Sequence, residues 1–125
     1  DRMAGNVVNS RLQVPDSFVT HALSKGGASS ISALLHICGR RRLVLHDHQI
    51  DAITDSVQRT DSFDNKYLGL SFSALKFMNN RNKSTKYLFS ELMNKVRMIP
   101  PGELNSTTIE NVLCSFKFIN SDNPD

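Results

Sequence analysis

A chain of 125 residues holds one domain around one core. Its net charge of +3 is compatible with a nucleic-acid partner without requiring one, and no apolar run approaches the length that spans a bilayer. Cys38 and Cys114 lack metal-ligand spacing such as C-x-x-C, so they read as buried, reduced thiols. The start at Asp1-Arg2 reads as that of a processed or incomplete chain.

After an irregular segment over 1–14, Pro15-Asp16 should open a short helix over 16–25, with Phe18, Val19, Ala22 and Leu23 inward. Gly26-Gly27 should end it. A second helix is expected over 29–38. Leu43-Val44-Leu45 follows, a β-like triplet or an extension of the next helix, predicted over 47–59 with Asp47 as its cap. Asp64 caps a helix over 64–79 that carries Leu68, Phe72 and Leu75. Ser84 or Thr85 begins a helix ending at residue 97, burying Leu88, Phe89, Leu92, Met93 and Val96, and Pro100-Pro101-Gly102 turns the chain. The last helix spans 106–119, with a Thr107–Glu110 capping box. Ile109, Val112, Leu113, Phe116 and Ile119 form its apolar face, and 120–125 is a polar tail.

Three stretches in these helices match at equal steps. "SALLHIC" begins at Ser32, "SALKFMN" at Ser73 and "CSFKFIN" at Cys114. The intervening helices also correspond, Gln49 to Val57 aligning with Leu88 to Val96. A step of this size, holding two helices, is the signature of stacked helical hairpins, whose periods run to roughly 40 residues. The expected fold is therefore all-α, an open α-solenoid of either hand, forming one helical-repeat domain over 1–125 within a longer array or complex. The final helix lacks a following partner. A missing continuation or a neighbouring protein should cover it.

"FDNKYLGLSFSALKFMN", echoed in "LNSTTIENVLCSFKFIN", resembles the first helix of octotricopeptide and heptatricopeptide repeats. These occur in organellar RNA-binding proteins, some with a C-terminal RAP domain that is not visible here. Asn65, Leu68, Phe72, Ala74 and Phe77 occupy the pattern's places in one copy, and Ser106, Ile109, Leu113, Ser115 and Phe118 in the next. The resemblance implies contact with ribosomal or other single-stranded RNA in a mitochondrion or plastid. A structural subunit of an organellar ribosome is the leading expectation, with an RNA-processing factor beside it. A HEAT-type protein scaffold without RNA contact is the rival from another class.

Gly39-Arg40-Arg41-Arg42 is the sharpest local charge feature, and the matching turn one repeat later holds Arg81, Lys83 and, just beyond, Lys86. With Lys76 and Lys117 at equivalent positions, these residues would line one rim and follow a phosphate backbone. Asn65, Lys66, Tyr67, Ser106 and Thr107, at helix starts, are candidates for base contact. The other aromatics, Phe72, Phe77, Phe89, Phe116 and Phe118, fall in apolar patterns and read as core, as does His36. His46, Asp47 and His48 invite a metal, but no fourth ligand is in view, so no metal site is expected. Neither a catalytic group nor a cofactor is expected: Cys38 and His36 offer no oriented base, and Gly26-Gly27 is no phosphate loop.

Overall fold

The structure, a computed structural model, describes residues 12–78 and 83–121. Among these residues it is all-helical. In chain order the α-helices are α1 (Asp16–Ser24), α2 (Gly27–Arg40), α3 (Asp47–Arg59), α4 (Asn65–Leu75), α5 (Lys83–Arg97) and α6 (Ser106–Ser121). A 3₁₀ turn, Pro101–Glu103, precedes α6. None is long and apolar enough to cross a membrane among the described residues.

The packing sorts the helices into two rows. In one, α2 lies along α4 and α4 along α6; in the other, α1 meets α3 and α3 lies along α5. The rows are joined mainly where α2 meets α1 and where α5 crosses α4. Between them Ile31, Leu35, Ile50, Ile53, Leu68, Phe72, Leu75, Leu88 and Leu92 are fully buried. Each such side chain contributes about 1.5–3 kcal/mol of transfer free energy.

Local signals explain most of the boundaries. Gly26, at φ +74°, makes the turn between α1 and α2, a conformation that side chains with a Cβ resist. Asp64 caps α4, its Oδ1 accepting the Tyr67 N–H at 3.2 Å. At α3 the cap position is His46 rather than Asp47, and the His46 N–H donates to Gln49 Oε1 at 2.7 Å. Asn105, not Thr107, caps α6, accepting the Thr108 N–H on Oδ1 at 2.8 Å. Leu43-Val44-Leu45 does not extend α3. Val44 instead pairs with the segment before α1, its N–H donating to the Leu12 carbonyl at 2.7 Å while its own carbonyl accepts the Val14 N–H at 3.1 Å. Of the expected irregular start, only residues from 12 onward are described, and of the expected polar tail, Asn120 and Ser121 belong to α6. The expected helix over 64–79 stops at Leu75.

Small residues let the helices of one row approach. A Cβ placed on Gly39 of α2 would lie 3.2 Å from the Cα and carbonyl oxygen of Ala74 on α4. Hydrogen bonds tie α4 to α6 and to the turn before it: Asn65 Nδ2 donates to the Glu103 carbonyl at 2.6 Å, and Thr108 Oγ1 donates to the Asn65 carbonyl at 3.1 Å. Asn111 Nδ2 donates to the Gly69 carbonyl at 3.2 Å. Two further polar side chains tie distant segments together. Gln49, buried, donates to the Val14 carbonyl at 2.6 Å and to Asp16 Oδ1 at 2.8 Å, while Lys95 Nζ donates to the Thr60 carbonyl at 2.6 Å.

The face of α6 that meets α4 consequently carries Thr108, Ser115 and Ile119, all buried. Ile109, Leu113 and Phe116, expected inward, are exposed. Thr108 and Asn111 hydrogen-bond to α4, and Ile119, Val112 and Phe118 pack on the core, while the stripe of Ile109, Leu113 and Phe116 lies on another side of the helix.

Gly39→Val should cost about 1–3 kcal/mol by overpacking the α2–α4 contact. Phe72→Ala should cost about 3–5 kcal/mol, whereas Leu113→Ala should stay within about 0.5 kcal/mol, as at an ordinary surface site. Equilibrium unfolding in urea measures all three. The cysteines offer a second check, since Cys38 is buried and Cys114 exposed. Burial pushes the Cys38 thiol up to about 11, so at mildly alkaline pH it stays protonated. A disulfide reagent should titrate Cys114 at once in the native protein and Cys38 only on unfolding.

Candidate nucleic-acid interface

Helix α2 ends in a tight left-handed turn. The Arg41 N–H donates to the Ile37 carbonyl at 3.0 Å, the Arg42 N–H to Gly39 at 3.1 Å, and the Leu43 N–H to Cys38 at 2.8 Å. These bonds satisfy carbonyls that the helix end would otherwise leave open. They place Arg42 at φ +54°, the position usually given to glycine. For an L-residue with a Cβ this conformation is held at a cost of about 1–2 kcal/mol.

That turn aims Arg42 across the row at α4. Its guanidinium carbon lies 5.5 Å from the centroid of the Phe77 ring, and Lys76 Nζ lies 5.8 Å from the same ring. Phe77, in the turn just beyond α4, is more than one-third exposed (37%), so a ring expected in the core stands at the surface beneath two cations. Around it opens a groove of about 370 Å³, lined by His36, Gly39, Arg40, Arg42, Ser73, Ala74 and Phe77. His36 and Arg40 are four residues apart and so share one helix face. The close approach of Gly39 and Ala74 forms the floor.

A second groove, of about 420 Å³, lies one helix further along the same row, between α4 and α6. Lys66, Gly69, Leu70, Thr107 and Asn111 line it, and Ser73 borders both grooves. The row α2–α4–α6 thus presents two adjoining grooves, cationic and aromatic in the first, and in the second a mostly apolar surface with hydrogen-bonding side chains and one cation, Lys66.

The expected rim residues distribute as follows. Arg40, Arg41 and Arg42 are exposed, but Arg41 does not line the groove. Lys83 and Lys86 are exposed on the first turn of α5, where Lys83 Nζ lies 5.9 Å from the exposed Tyr87 ring. Lys117 is exposed on α6, and Arg81 lies outside the described residues. Among the expected base-contacting residues, Asn65 is committed to the joint between α4 and the segment leading into α6, donating to Glu103 and accepting the Asn105 N–H at 3.2 Å. Tyr67 is half-buried against the core, with Lys66 Nζ 5.6 Å from its ring. Ser106 and Thr107 are exposed, and only Thr107 lines a groove.

The His46 and His48 rings lie nearly parallel with centroids 5.8 Å apart, but their Nε2 atoms engage different partners. His46 Nε2 lies 3.0 Å from Gln13 Oε1 and His48 Nε2 2.8 Å from Asp16 Oδ1. The hydrogen bond from His48, with a second from Gln49, holds the Asp16 carboxyl below its ordinary range. This cluster fastens the segment before α1 to α3.

Sequence reasoning missed His36, Ser73 and Phe77. A signal was present: Phe77 follows His36 by the same step that takes Ser32 to Ser73, so the step that aligned the sequence stretches also aligns these two positions. No family model, curated protein or solved structure matches the chain.

Because glycine occupies the left-handed turn without strain but loosens the unfolded chain by a comparable amount, Arg42→Gly should leave stability within about 1 kcal/mol. Arg40→Gly, in helical conformation at the last residue of α2, should cost up to about 1 kcal/mol. Thermal unfolding of the two variants side by side measures the difference.

Proposed function

We propose that this chain is an open α-solenoid of helical hairpins that binds single-stranded RNA along the outer face of the α2–α4–α6 row. Its repeat is the step from Ser32 to Ser73 to Cys114. The observation that carries the reading is Arg42. A strained, non-glycine residue ends α2, where glycine would be easier, and its guanidinium lies over an exposed phenylalanine. Backbone strain of this kind persists where a side chain is needed at that place.

The chemistry of the first groove suits a nucleotide. Arg40 and Arg42 offer forked donors to phosphate oxygens, Lys76 adds a point charge, and Phe77 offers a face on which a base can stack. The second groove extends the track by one helix, with Asn111 and Thr107 able to hydrogen-bond a base edge or a 2′-hydroxyl. Lys117 recurs at the Lys76 position one repeat on, and Lys83 and Lys86 add charge at the start of α5. The repeat reading is supported by the alternation of the two rows and by the constant step that maps His36 onto Phe77 and Leu68 onto Ile109. Together with the resemblance to octotricopeptide and heptatricopeptide units, this leads us to place the chain in a mitochondrial or plastid ribonucleoprotein, as a ribosomal subunit touching ribosomal RNA.

Fluorescence anisotropy with a labelled single-stranded RNA of mixed sequence tests the reading. Affinity should fall with salt, with a log–log slope of about −0.7 for each phosphate neutralised. Combining Arg40→Gln with Arg42→Gly should flatten that slope by roughly 1.4, two phosphates' worth. Phe77→Ala should weaken binding by about 1–3 kcal/mol, at least several-fold, with little change in slope. Salt-insensitive binding, or equal affinity in the arginine variant, would favour a protein-binding scaffold instead.

A further inference from the structure

Helix α6 repeats an apolar face that α4 keeps buried. Leu68, Phe72 and Leu75 of α4 are each 0% exposed, whereas their counterparts one repeat on, Ile109, Leu113 and Phe116, are 43%, 61% and 54% exposed. What differs is the covering helix. Across α4 runs α5, with the Phe89 ring set edge-on to Phe72 at a centroid distance of 5.6 Å. The same Phe89 ring reaches Phe116 at 6.0 Å, at the margin of the α6 face. Beyond that margin, no described helix stands across α6 as α5 stands across α4.

We propose that this face receives an amphipathic helix of the α5 type, seated on α6 as α5 is seated on α4. The occupant's chemistry follows from the interface already formed. Helix α5 presents large apolar side chains as two adjacent pairs one turn apart, Leu88-Phe89 and Leu92-Met93, and the partner helix carries the same arrangement. Continuity makes the site composite. Phe89 already lies between Phe72 and Phe116, so the incoming helix extends an existing aromatic contact instead of founding a new one.

The size of the face points to one helix rather than a second copy. Three side chains exposed to this degree offer roughly 300 Å² of apolar surface, against about 800 Å² per partner in a standard stable interface. The inference rests on the repeat part of the reading above and is independent of RNA.

The test uses the whole chain and a labelled peptide of the α5 sequence, Lys83–Arg97, as probe. Saturable binding is expected, weakened at least tenfold by Leu113→Asp in the protein or by Phe89→Ser in the peptide. Leu113 is exposed, so the protein variant should keep its helix content and unfolding midpoint. It should also keep its RNA affinity, which separates failure of this proposal from failure of the RNA reading. Three outcomes would overturn the proposal. One is the absence of saturable peptide binding. Another is binding that Leu113→Asp leaves unchanged, which would mean that the peptide exchanges with the chain's own α5. The last is concentration-dependent dimerisation abolished by Leu113→Asp, which would assign the face to a second copy.

Discussion

The backbones of α2 and α4 come together at Gly39 and Ala74, and the rest of the surface follows from how close they lie. A Cβ on Gly39 would press on the backbone of Ala74 at 3.2 Å, so larger residues there would part the helices. At this spacing the last turn of α2 stands beside the last turn of α4. Arg42 can then reach Phe77, and the space left above the two small residues becomes the groove lined by His36, Arg40 and Ser73. Wider spacing would leave the arginines as scattered charges on separate helix ends.

The next joint in the row uses a different force. Helix α6 is fixed to α4 by side-chain hydrogen bonds from Asn65, Thr108 and Asn111 to carbonyl oxygens. Each contributes about 1 kcal/mol net, but a buried group left without its partner would cost more. Such bonds specify register more sharply than apolar contact. Ile109, Leu113 and Phe116 take no part in these bonds and stay exposed. The same device recurs at Gln49 and Lys95, where one buried polar side chain ties a distant segment to a helix.

Much of the architecture was legible in the sequence, because helical periodicity is a local signal. The starts at Asp16, Asp47 and Ser106 and the ends at Arg59 and Arg97 fall where the residue pattern put them, and Asp64 caps as expected, but the caps of α3 and α6 are His46 and Asn105 rather than Asp47 and Thr107. Errors arose where a long-range contact overrode the local signal. Val44 found a partner in Leu12 and Val14 rather than a place in α3. The apolar stripe of α6 reads as inward on any helical projection, since periodicity reports that a face is apolar but not which neighbour it meets. Cys114, on the exposed side of α6, was misread as buried for the same reason. At the site, the arginines were visible as a charge run, but Phe77 was not. It follows Leu68, Phe72 and Leu75 in sequence, and only the end of α4 at Leu75 turns it out of the core.

The central claim is that RNA lies along the α2–α4–α6 row. Photo-crosslinking to single-stranded RNA carrying 4-thiouridine, followed by mass spectrometry of the adducts, locates the contact residue by residue. The account predicts adducts at Phe77 and within His36 to Arg42, with further adducts near Lys66 and Asn111. Adducts confined to the outward faces of α3 and α5, such as Gln58 and Glu91, would contradict it, as would no adduct alongside a crosslinking control protein.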